Sequence, residues 1–137
     1  MSQQNVEIVR RFYDGGVREL TSPPDEAHLL ELVDPEVHVD LTRRVLNPGT
    51  YDGYEGLRLG LSEVREVWDR FTILPERFID VGDHVLVLET VQASGLGSGV
   101  EVAARGASLY TLRDGKIVRL TVYPDAREAL EAVGLAE

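Results

Sequence analysis

The segment 76–123 constrains the fold more than any other part of the chain. Four runs, about 76–81, 84–93, 100–112 and 116–123, alternate in strand fashion. Gly82-Asp83, the cluster SGLGSG and Asp114-Gly115 separate them. Asp-Gly between two alternating runs is the strongest short-range hairpin signal, because a two-residue type I′ turn needs positive φ at both centres. Before residue 76 three segments carry helical period, with one short alternating run between the second and third. Helices grouped first and strands grouped second predict an α+β domain with an antiparallel meander.

The first helix is expected from Asn5, as N-cap, to the stop at Gly15-Gly16, with Val6, Val9 and Tyr13 on one side and Ile8 and Phe12 beside them. In SPPDEAHLLELV, Ser22 reads as a cap and Pro23 as the first helical residue, with an end at Asp34-Pro35. EVHVDL then alternates: Val37, Val39 and Leu41 share one face, His38 and Asp40 the other. The following stretch, TRRVLNPGTYDGYEG, reads as a functional loop and a candidate pocket rim; whether its Arg43, Arg44 and Tyr51 close over an opening is left open by the sequence. Leu57, Leu61, Val64, Trp68 and Phe71 recur at helical steps, so a third helix is expected to run until Pro75 bounds it. Its other side carries Arg58, Glu63, Arg65, Glu66, Asp69 and Arg70. Asp125 and Glu128 form a capping box for a last helix that stops at Gly134. A sheet that is apolar on both faces needs two covers. The helices supply one. A second copy of the chain, meeting Leu109, Thr111, Thr121 and Tyr123, is the economical other, so a homodimer is expected.

Composition narrows the function classes. The chain has 137 residues, enough for a single domain over 1–137. A net charge of −10 repels phosphate backbones, so nucleic acid is excluded as a partner. The absence of cysteine removes disulfides, thiolate nucleophiles and thiolate metal sites together. No run of 18 apolar residues exists to span a membrane, and the polar start lacks the order of a signal peptide. A cytoplasmic location is the expectation. His28, His38 and His84 lie on separate elements without metal-ligand spacing, so neither a metal nor another cofactor is expected. GLGSG sits between strands and reads as a hairpin loop, not a phosphate cradle.

The order of elements, carried by NVEIVRRFYDGG, LLELVDPEVHVDL, YDGYEGLRLGL and LYTLRDGKIVRLTVYPDAREALEAVGL, resembles the nuclear transport factor two-like superfamily and, within it, the SnoaL-like proteins. The resemblance covers nearly the whole chain. It implies a cone-shaped α+β fold: a curved mixed or antiparallel sheet wrapped round a long helix, enclosing an apolar pocket, and often dimeric. It implies no single reaction, because this cone hosts isomerases, cyclases, hydrolases, dehydratases and non-catalytic subunits.

The resemblance also says where such enzymes keep their reactive groups. The tyrosine position of the steroid isomerases falls on Phe12, with Tyr13 beside it; the base position falls on Leu41, with Asp40 beside it; the late aspartic acid position falls on Ser108. Asp40 should face away from the pocket, as the strand neighbour of Leu41. The epoxide-hydrolase Arg-x-Asp pattern is broken, since Ala107 follows Arg105. The last strand offers no cyclase acid before Asp125, which reads as a cap.

One carboxylate remains. In HVLVLETVQ, Val85, Val87, Glu89 and Val91 share a face. If that face is inward, Glu89 lies near Trp68 and Tyr110, and burial would raise its pKa towards that of a general acid or base, with Tyr13 as helper. The competing reading, which the residues favour, is structural: Glu89 faces out or is held by Arg105. Phe12, Val39, Leu41, Trp68, Ser108, Tyr110, Leu120 and Val122 are expected to line a ligand site. Ser108 lacks a His–acid pair and is not a nucleophile. The leading reading is a protein that binds a small, mostly apolar organic molecule. The alternative is an isomerase, lyase or hydrolase using Glu89. A weaker third is an interaction module whose sheet face binds another protein.

Overall fold

A computed structural model describes residues 2–21, 25–44 and 48–135. The chain opens with helix α1 (Ser2–Phe12), which includes Asn5 inside it, and leaves through a wider turn at Tyr13–Val17. Helix α2 (Glu26–Glu31) is capped by Asp25, whose carboxylate accepts from the amide of His28. The expected cap Ser22 and first residue Pro23 lie outside the described residues. The helix stops short of Asp34-Pro35, because Val33 already pairs with Ile117 in the sheet.

The sheet comprises β1 (Val33–Asp40), β2 (Thr50–Asp52), β3 (Trp68–Val81), β4 (His84–Gly95), β5 (Glu101–Arg113) and β6 (Lys116–Tyr123), in the order β2-β1-β6-β5-β4-β3. Strands β3 to β6 form the expected antiparallel meander. Strand β1 joins β6 in parallel, so the sheet is mixed. Asp114 and Gly115, at φ 52° and 77°, make the β5–β6 turn. Helix α3 (Gly53–Val67) packs on β1, β2 and β3, and α4 (Ala126–Ala132) packs on the opposite side of β5 and β6. Within the described residues no helix is long and apolar enough to cross a membrane.

Three differences from the sequence expectation have local causes. Helix α3 ends at Val67, and Trp68 and Phe71 belong to β3. Trp68 is already extended (φ −116°, ψ 138°), and residues 68–81 pair along β4. Long-range pairing overrides a helical spacing that these aromatics happen to fit. The loop after β1 contains the short strand β2, paired to His38–Asp40. The capping box is half formed: Asp125 accepts from the amide of Arg127, but Glu128 turns away to accept from Arg43 at 2.6 Å.

The register sorts the side chains. Val39, Leu120, Tyr110 and Val85 follow one another across β1, β6, β5 and β4 on the inner face. His38, Arg119, Thr111 and His84 do so on the outer face. The outer face is partly covered by the chain itself: α4 lays Ala129 on Leu86, Ala107 and Tyr123, with Leu109 packed alongside. Arg43 reaches over the Tyr123 ring, its guanidinium carbon 4.7 Å from the ring centre. Tyr123 and Thr121 are buried within one chain, so they are not the open dimer face the sequence suggested.

Candidate functional site

The inner face, α1, the turn after it and α3 enclose a cavity of about 560 Å³. Its wall gathers Phe12, Tyr13, Val39, Leu41, Trp68, Glu89, Ser108, Tyr110, Leu120 and Val122. Strand parity explains most of this set. The β5–β6 hairpin pairs Ser108 with Val122 and Tyr110 with Leu120, and β4 pairs Val87 with Ser108 and Glu89 with Gly106. Paired residues share a face. Tyr13 enters from the turn after α1, and its ring meets Tyr110 and Phe78 edge-on, at 5.9 Å from each.

Glu89 is 4 % exposed. Tyr13 Oη donates to its Oε2 at 2.7 Å, and Ser108 Oγ donates to its Oε1 at 2.8 Å. Burial raises the carboxyl's pKa, and these two hydrogen bonds only partly oppose it. Burial first, then the neighbouring Tyr110 and Glu89, raises Tyr13 well above the usual phenol range. Tyr110 moves the same way, again chiefly through burial and then Glu89. Both phenols therefore stay protonated near neutral pH and act as hydrogen-bonding groups.

The expected Arg105 partnership does not form. Glu89 pairs across the strands with Gly106, so Arg105, one residue earlier, is not opposite it; Arg105 borders the cavity, but its guanidinium lies 3.7 Å from Glu76. Asp40 also lies outside: the Thr42 hydroxyl and amide donate to it, and Arg43 and Arg119 approach it at 3.6 Å. Its burial pushes its pKa up, but the Thr42 bonds and the two arginines outweigh this and lower it. His38 pairs with Asp52 and His84 with Thr111; no group of metal-holding side chains forms among the described residues.

One polar group of the wall escaped the sequence reading. Glu63, counted on the solvent side of α3, lines the cavity with Arg44. Arg44 Nη2 donates to Glu63 Oε1 and to Tyr51 Oη, each at 3.2 Å, and the Tyr51 hydroxyl donates to Glu63. Arg44 and Tyr51 were visible as rim candidates. Glu63 was not, because helical period places it among charged neighbours and only the returning loop gives it partners.

Replacing Tyr13 with Phe tests the Glu89 arrangement. It removes one of two donors to a buried carboxylate, a loss of about 1.5–3 kcal/mol for a bond to a charged group. Urea unfolding of the variant should show that loss at neutral pH and less of it in acid, where the carboxyl is neutral. Equal losses at both pH values would contradict an ionised, Tyr13-held Glu89.

Comparisons with known proteins agree on the architecture. A protein described as a SnoaL-like polyketide cyclase from Jannaschia sp. CCS1 superposes with a TM-score of 0.77 at 22% identity, covering 99% of this chain and 95% of its own. TerC, crystallised with polyporic acid, gives 0.75 at 24% identity, covering 96% and 98%. An NTF2-like protein of unknown function from Burkholderia pseudomallei K96243 gives 0.76 at 19%, covering 95% and 97%. No curated protein matches the chain. The SnoaL-like domain family matches residues 9–120, and the chain belongs to that family.

Proposed function

We propose that the protein binds a small, mostly apolar organic molecule in the cone cavity. The observation that carries this reading is the cavity itself: about 560 Å³, walled chiefly by aliphatic and aromatic side chains, with a few polar groups converging at Glu89. Ligand sites have this size and make-up, apolar walls supplying affinity and a few polar groups fixing orientation. TerC, which shares the fold, was crystallised with polyporic acid, and this supports reading the cone as a holder of small organic molecules.

A second reading is favoured by one specific observation. Glu89 is buried, has a raised pKa and is bonded to a tyrosine hydroxyl, which suits a general acid or base. In that role Glu89 would exchange a proton with the bound molecule, while Tyr13 and Ser108 hold the carboxyl in place.

Titration with N-phenyl-1-naphthylamine, a neutral apolar fluorophore, separates binder from non-binder. Trp68 is the sole tryptophan and lines the cavity. Saturable quenching of Trp68 with matching dye enhancement is the expected result. Absence of saturation would overturn the binding reading. The acid–base reading needs one result more. Any turnover found with enolisable ketones or epoxides should fall about 10²–10⁴-fold in Glu89→Gln. Turnover that survives this change would remove Glu89 from the chemistry.

A further inference from the structure

We propose that the cavity takes lipophilic ammonium compounds, with the positive end beside Glu89 and the apolar body against the aromatic wall. The proposal rests on the binding reading above and names its ligand class.

Glu89 supplies the first half of the argument. Its carboxylate is buried in the cavity wall, and the groups bonded to it are hydroxyls, one from Tyr13 and one from Ser108. No ion pair to it forms among the described residues. Its cross-strand neighbours are uncharged, Pro75 on β3 and Gly106 on β5. The two arginines that border the cavity are turned to other carboxylates, Arg105 to Glu76 and Arg44 to Glu63. Two hydroxyl donors do not fully replace the hydration of a buried carboxylate. A cation brought by a ligand supplies the missing counter-charge, and the affinity gained is specific to positive ligands. An anion would meet like charge there, and a neutral molecule could offer it a hydrogen bond at most, without the counter-charge.

The aromatic wall supplies the second half, from different residues. Phe12, Tyr13, Trp68, Phe71 and Tyr110 all line the same cavity. Ring faces attract alkylammonium groups through their quadrupoles, most strongly where water is excluded. A carboxylate flanked by aromatic rings in an apolar cavity is chemically suited to quaternary and tertiary amines. The chain's charge of −10 acts in the same direction, since it raises the local concentration of cations and lowers that of anions.

The test compares benzyltrimethylammonium with its neutral carbon isostere, neopentylbenzene, by quenching of Trp68. The quaternary probe keeps its charge at every pH. The expected result is an affinity for the ammonium at least about tenfold higher than for the isostere, with the preference erased in Glu89→Gln. The preference should also shrink as pH falls and Glu89 takes up a proton. Tyr13, Ser108 and Tyr110, which face Glu89, do not titrate in that range; Glu63, the other carboxylate of the wall, is engaged by Arg44 and Tyr51, and a Glu63→Gln control should leave the profile in place. This pH profile is read on the unaltered protein, so it decides the matter even where the Gln variant does not fold. Equal affinities for the two probes, or a preference that survives Glu89→Gln or is flat with pH, would overturn the ammonium proposal while leaving the apolar binding site standing. Failure of both probes, and of N-phenyl-1-naphthylamine, to bind would overturn the two readings together.

Discussion

Glu89→Gln should make the stability of this protein nearly independent of pH in the range where the unaltered protein loses stability on going from acid to neutral. The sign follows from the direction of the shift. Burial raises the Glu89 pKa in the folded state above its unfolded value of about 4.3. Below that value the carboxyl is protonated in both states and carries no charge penalty. As pH rises, the unfolded chain ionises first, and the folded state must follow by burying a charge. Stability therefore falls through the window between the two pKa values, by at most about 1.4 kcal/mol per pH unit. Asp40 acts in the opposite sense, but its pKa is lowered, so its effect lies at more acid pH, outside this window. Gln lacks the titration. It also presents an amide N–H₂ to either the Tyr13 or the Ser108 hydroxyl, so in acid the variant should be level with the parent or slightly weaker, and at neutral pH stronger. Urea midpoints measured across the window check this. Parallel pH curves for the two proteins would show that Glu89 is not desolvated.

Gly106→Val should cost about 3 kcal/mol, seen as a lower urea midpoint with an unchanged m-value. A Cβ at Gly106 would stand 2.8 Å from the carbonyl oxygen of Tyr123 and 3.4 Å from that of Pro124. Both are backbone atoms, at the point where β6 hands over to α4, so neither can swing aside as a side-chain tip can. The valine would push the end of β6 away from β5, disturbing the packing of Tyr123 under α4. Gly106 also faces Glu89 across the β4–β5 ladder, so the same change should weaken binding of the apolar probe. A variant as stable as the parent would mean that the strand ends are looser than this close approach implies.

The legible parts of the fold share one property: their signal is local. Asp114-Gly115 marked the β5–β6 turn; the inward set Ser108, Tyr110, Leu120 and Val122 depends as well on a register shift between Thr111 and Leu112, without which Tyr110 would oppose Arg119. Alternation in EVHVDL placed Val39 and Leu41 inside and Asp40 outside. The stretch from Trp68 to Phe71 was misread because its aromatics satisfy a helical period, while the reason it is a strand lies in β4, some twenty residues on. Strand β2 is too short to alternate detectably. The partner of Glu89 was recoverable in part. Parity across the β4–β5 hairpin opposes Glu89 to Gly106 and not to Arg105, but this follows only once the register of that loop is known. Tyr13 as the donor could not be derived from periodicity, since its position depends on the wider turn that ends α1. Likewise, Tyr123 was assigned to a dimer face because nothing in its own strand reveals that α4 folds back over it.

A crystal structure of the protein grown with N-phenyl-1-naphthylamine tests the central claim most directly, because it locates the bound molecule and does not merely detect it. The account predicts density for the dye inside the cone, between Trp68 and the Glu89–Tyr13–Ser108 group. An empty cone, with saturable dye binding traced to the outer face of the sheet, would contradict it.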